Sequence, residues 1–108
     1  MPEPLLSEMT TVQLHAEKTR CQQAGQAALT AGLLNECHVW EQRYYLVESY
    51  LMDPATIVLG ATYGVANGTG LFIARRLNGV FAYGNIIGET EERGFPIGQL
   101  VTLDFARP

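Results

Sequence analysis

The chain has 108 residues, a formal net charge of -4, 47% apolar residues and 17% charged residues. That composition excludes a disordered chain and supplies one hydrophobic core, while the length excludes two independent cores. The acidic balance argues against a broad nucleic-acid footprint, and no segment reaches the ~20 apolar residues of a membrane span.

Residues 1–9, MPEPLLSEM, are acidic and lack a basic leader, so they read as a tail rather than a secretory signal, and a cytoplasmic location is expected. Residues 10–53 read as an antiparallel helical hairpin. Thr10 with Gln13 forms a capping box, and Met9 with Leu14 forms its hydrophobic staple. The small residues Ala24, Gly25, Ala27, Ala28 and Ala31 allow a second helix to approach closely. Gly32 suits the left-handed end of the first helix, and Asn35 is the expected cap of the second, stapled by Leu34 and Val39. Cys37, Trp40, Tyr44, Val47 and Leu51 form an apolar seam, widened by Val39, Leu46 and Tyr50. That is more apolar surface than one helix of small residues covers.

Asp53-Pro54 ends the helical region, and the hydrophobic period then changes from helical to two. Residues 54–108 read as five short strands bent at glycines: Ala61 to Val65, Leu71 to Leu77, Val80 to Ile87, a short strand at Phe95-Pro96, and a last strand in which Val101, Leu103 and Phe105 alternate with polar neighbours. A tight helical turn is expected at Ile97 to Gln99. Asn78-Gly79 predicts a type I′ hairpin pairing Leu77 with Val80 and Arg76 with Phe81. The interior face is then Leu71, Ile73, Arg75 and Leu77 with Val80, Ala82, Gly84 and Ile86, in which Arg75 is a misfit. Phe72, Ala74, Arg76, Phe81 and Tyr83 face outward and await a cover, expected from the second helix. The fold class is α+β: a helical hairpin followed by a small five-stranded SH3-like barrel.

The runs YLMDPATIVLGATYGV, RRLNGVFAYG and GFPIGQL, with SEMT near the start and GLLNE at the helix junction, resemble the small bacterial family labelled YfhH, over about residues 5 to 103. The resemblance implies a helical hairpin followed by an SH3-type barrel, and no assigned activity or catalytic residues.

The residues themselves offer no catalytic constellation. His15 and His38 lie on different helices, and neither a His/Cys cluster with metal spacing nor a glycine loop ending in Lys-Ser/Thr occurs. Cys21 and Cys37 fall about 10 Å apart along the helix axis, beyond disulfide reach, and read as buried thiols. No metal and no cofactor are expected. Three functions remain. The leading one is a non-enzymatic binding or assembly module, associating with itself or a protein partner through Trp40, Tyr44, Tyr45 and Tyr50. The alternative is nucleic-acid binding through Arg75 and Arg76 with Phe81, Tyr83 and Tyr63, and with Arg93 and Arg107 in the same neutral half of the chain. Proline-rich peptide recognition is weaker, because the strands lack the aromatic and acidic groove that it needs.

Overall fold

The computed structural model describes residues 4–103. Helix α1 spans Thr11–Thr30 and α2 spans Leu34–Leu51. The expected capping box forms: Thr10 Oγ1 accepts the Gln13 N–H at 3.2 Å, and Gln13 Oε1 accepts the Thr10 N–H at 2.8 Å. Ahead of it, Leu6–Glu8 make a 3-10 turn, and Leu6 and Met9 pack on the helical core.

At the other end Gly32 has φ +76°, the Leu33 N–H reaches the Ala28 carbonyl at 2.8 Å, and the Gly32 N–H reaches Leu29 at 3.0 Å. This paired arrangement closes α1 and leaves Leu33 as the residue before α2. The second helix therefore starts too early for Asn35 to cap it. No side chain caps α2, and the expected staple pair is exposed, Leu34 at 58% and Val39 at 67%. Between the helices Leu14, Cys21 and Val47 are buried, flanked by Trp40, Tyr44 and Leu51. A Cβ on Gly25 would touch the Trp40 Cβ at 3.4 Å, so the small-residue run does set the helix spacing.

Asp53 accepts the Ala55 N–H at 2.9 Å and starts a 3-10 turn at Pro54–Thr56. Five antiparallel strands follow: β1 Thr62–Val65, β2 Leu71–Asn78, β3 Phe81–Ile86, β4 Arg93–Pro96 and β5 Leu100–Thr102, in the order β4-β3-β2-β1-β5. The fold is thus α+β, with two helices followed by a five-stranded antiparallel sheet. The sheet is not closed: β4 and β5 are its two edges, and no pairing joins them among the described residues. It is nevertheless strongly curled. Only the 3-10 turn Ile97–Gln99 connects the two edges. Laid flat, five strands would put those edges about 19 Å apart, whereas such a turn reaches about 8 Å. Phe105, expected to continue the last strand, lies outside the described residues.

The β2–β3 hairpin differs from expectation in turn and register. Asn78 pairs with Phe81, so the two loop residues are Gly79 and Val80. Gly79 has φ +61°, and Val80 does not share the positive sign, which is the II′ rather than the I′ hand. Arg76 accordingly pairs with Tyr83 and not with Phe81. Below that, the register shifts between Ala74 and Arg76, making Arg75 the extra residue of a β-bulge. The bulge reverses the facing of the lower half of β2. Phe72 and Ala74, expected outside, are fully buried, and Leu71 and Ile73 turn outward. On β3 the expected interior set Ala82, Gly84 and Ile86 is buried. A Cβ on Gly84 would stand 1.8 Å from the Ile73 carbonyl oxygen, so glycine is what lets the bulged strand cross there.

The sheet core is Ile57, Tyr63, Val65, Phe72, Ala74, Ala82, Ile86 and Ile97. Helix α2 docks on it through the 3-10 turn between β4 and β5. Ser49 Oγ donates to the Tyr45 carbonyl at 2.7 Å and accepts the Gly98 N–H at 2.8 Å. A Cβ on Gly98 would lie 2.5 Å from the Tyr45 carbonyl oxygen. Gln99, also buried, donates to the Ala66 carbonyl at 2.9 Å. The run GFPIGQL is therefore the joint between helices and sheet.

Candidate functional site

Three places on this frame gather chemistry. On the outer face of the sheet Arg76, Tyr83 and Gly94 lie side by side across β2, β3 and β4. The Tyr83 ring covers Gly94, where any Cβ would come within 2.6 Å of it. The Arg76 guanidinium sits 4.3 Å from the Tyr83 ring centroid and makes a two-point bond to Glu92, at 3.0 and 3.2 Å. Glu92 raises the Arg76 pKa, and Arg76 lowers that of Glu92. Arg75, on the bulge, donates to Asn85 at 3.3 Å. Arg93 lies 3.7 Å from Glu89 and over the Phe95 ring. Phe81 is half-buried against Tyr83.

The expected cover for this face does not arrive, because α2 lies on the 3-10 turn and the end of β4 instead. Of the residues expected to form a surface with the arginines, Tyr63 is not on it. Tyr63 is 6% exposed, with its hydroxyl accepting the Val58 N–H at 2.9 Å. Arg107 lies outside the described residues.

The helical hairpin holds a second cluster, which sequence reasoning passed over. Glu17 is buried between the helices and is held by Arg20 Nε and Nη2, at 2.9 and 3.2 Å, and by Arg43 from α2. The Arg20 bond, then Arg43, hold its carboxyl below the ordinary value against the opposing effect of burial. Lys18 reaches Glu48 across the same interface at 2.6 Å. The available signal was position: Glu17 falls on the stripe of Leu14, Cys21 and Ala28, where a carboxylate needs partners. The aromatics expected at a self-association surface divide. Trp40 and Tyr44 pack in the helix interface, Tyr45 is buried towards the sheet, and Tyr50 is exposed at 37%.

The third place is a cleft of about 340 Å³ between α1, α2 and the β1–β2 turn. Gly25, Leu29 and Tyr44 form apolar walls, and Gln22, Gln26, Glu41, Tyr45 and Asn67 supply the polar groups. Helical spacing puts Cys37, Glu41 and Tyr45 on one face of α2. Asn67 comes to them on a left-handed turn residue, φ +56°. Its amide donates to Glu41 Oε2 and to the Tyr45 hydroxyl, both at 2.6 Å. The Cys37 thiol donates to Glu41 Oε1 at 3.4 Å, and burial followed by Glu41 raises its pKa. Burial also raises the Tyr45 pKa.

Beside the cleft the hairpin surface carries no charge. No Asp, Glu, Lys or Arg occurs between Arg20 and Glu36, yet Gln23, Ala27, Leu29, Thr30, Leu33 and Leu34 are all exposed. Among the described residues no group of three His, Cys, Asp or Glu side chains is placed to hold a metal ion, and no helix is long and apolar enough to cross a membrane.

A helical hairpin docked through a Gly-Gln turn onto a curled five-stranded sheet is the architecture to be placed among known proteins. The chain belongs to the family described as a protein of unknown function (DUF1811), whose match runs over residues 5–101. It is 32% identical over 99 residues to the uncharacterized protein YfhH of Bacillus subtilis (strain 168), covering 91% of this chain and 95% of that one.

Proposed function

We propose that this protein is a non-enzymatic assembly module of the cytoplasm that pairs with a second copy of itself through the helical hairpin. The observation that carries the reading is the uncharged, exposed run between Arg20 and Glu36, with Leu29 at 49%, Leu33 at 47% and Leu34 at 58% exposure. Surface helices are ordinarily rich in charge, and exposed apolar side chains gathered in one place mark interaction sites. In a two-fold interface both copies use the same patch, and a charge near the axis would meet its own like charge. A patch free of charge suits that arrangement in a chain with a net charge of -4.

This moves the contact from the aromatic residues to the hairpin tip. Trp40, Tyr44 and Tyr45 serve the fold of one chain, and Tyr50, with Val39 at 67% exposure, remains available at the margin. The further reading of the curled sheet as an SH3-like barrel belongs to this proposal as scaffold, presenting the hairpin rather than a peptide groove. The nucleic-acid alternative has less support, because Arg76 is bonded at two points to Glu92 and Arg75 is engaged by Asn85.

Sedimentation equilibrium at micromolar concentration tests the proposal. The expected mass is that of two chains, falling to one in Ala27→Glu and in Leu34→Glu, with circular dichroism unchanged. A single-chain mass for the unsubstituted protein at every concentration refutes it.

A further inference from the structure

We infer that the cleft at Glu41 is a binding site for a small organic cation, a primary ammonium carried on a short aliphatic chain. The first argument is charge. Glu17 is paired with Arg20 and Arg43, Glu48 with Lys18, Glu89 with Arg93 and Glu92 with Arg76. Glu41 is different. Its side chain is only 32% exposed, and among the described residues no lysine or arginine reaches it. Its oxygens instead accept from neutral groups, the Asn67 amide and the Cys37 thiol, with the exposed His38 Nδ1 at 3.6 Å. Those bonds fix the carboxylate without cancelling its charge. A half-buried anion that is held in place and not neutralised attracts a cation.

The second argument is shape and lining. The volume, about 340 Å³, lies at the lower end of small-ligand sites, which are mostly apolar with a few placed polar groups. No lining residue is basic, so an anionic ligand would meet no opposite charge and would face Glu41. The Tyr44 and Tyr45 rings meet edge to face, 5.7 Å apart, and are among the residues that line the cleft. Leu29 and Gly25 offer contact for methylenes. Each carboxylate oxygen has lone pairs beyond those already used, and the Tyr45 hydroxyl oxygen, which accepts from Asn67, has a second lone pair to accept from an ammonium. Asn67 stands in a backbone conformation uncommon for a residue with a side chain, and that conformation places its amide between Glu41 and Tyr45.

Every lining residue belongs to one chain, but Leu29 is shared with the patch proposed for pairing, so the titration is repeated in Leu34→Glu, outside the cleft, to separate the two readings. The test is a titration of the full chain, followed by nitrogen–proton correlation spectra, with n-butylammonium, 1-butanol and Nα-acetyl-lysine methylamide. The expected result is saturable movement of the Asn67 side-chain amide and of backbone signals from 37 to 45 with n-butylammonium. Glu41→Gln should weaken it by about tenfold or more, as loss of a charge-assisted bond does. Leu29→Trp, which fills the cleft from an exposed position, should abolish it with Glu41 intact. Equal movement with 1-butanol, the same affinity in Glu41→Gln, or no saturable response to the amine overturns the inference. Tighter binding of the lysine amide than of n-butylammonium overturns the assignment to a free amine.

Discussion

The helical hairpin has two halves made by different means. In the half that holds Leu14, Glu17 and Cys21 against Arg43 and Val47, apolar side chains are sealed in and every charge at the interface has an opposite partner. In the half towards Gly32, no charged residue occurs between Arg20 and Glu36, Leu29, Leu33 and Leu34 face out, and a cleft is lined by Glu41, which no lysine or arginine reaches among the described residues. The first half satisfies its groups internally. The second leaves a carboxylate without a cationic side chain and three leucines without cover, the features on which the two proposals rest.

The contrast can be broken most strongly with one substitution made at two places on α2. Val47→Ala, at a position with 0% exposure, should cost about 2.5 kcal/mol in urea unfolding through lost burial and a residual cavity. Val39→Ala, at 67% exposure, should change stability by less than about 0.5 kcal/mol. Equal losses at the two sites would erase the distinction between the halves.

Glu17→Gln comes next, at about 2 kcal/mol, since it removes a buried anion that is bonded to two arginines. The same group gives a pH signature. Because Arg20 and Arg43 lower its folded pKa, its stabilisation is fully present above the unfolded value near 4.5 and is lost as pH falls through the lower folded one. Urea midpoints measured downward from pH 6 should therefore decline less steeply in Glu17→Gln than in the unsubstituted protein. Parallel declines would assign the acid sensitivity elsewhere. The smallest effect is expected at Glu41. Glu41→Gln should shift stability by under about 0.5 kcal/mol, since among the described residues no lysine or arginine reaches it and the His38 contact is exposed. A loss comparable to that of Glu17→Gln would make Glu41 a structural group.

Much of this frame was legible from local chemistry. Thr10 with Gln13, and Gly32, mark helix ends because few residues meet those requirements, and Asp53-Pro54 marks where the period changes. Asn35 failed as a cap because the Gly32 and Leu33 N–H groups bond locally back to Leu29 and Ala28, and the cap position then falls two residues earlier, at Leu33. Strict alternation failed in β2 because a single extra residue reverses it, although the arginine that fitted neither face was the sign. Glu41 and Asn67 were out of reach. They meet only because a helix and a turn, 26 positions apart in the chain, come together in three dimensions.

The extra residue at Arg75 works like an inserted beat in a measured line. Remove one position there and the count realigns, so that Phe72 and Ala74 would be turned towards water and Leu71 and Ile73 towards the core. Substitution at Arg75 should be tolerated far better than its deletion, because the strand depends on the number of residues at that point more than on their kind.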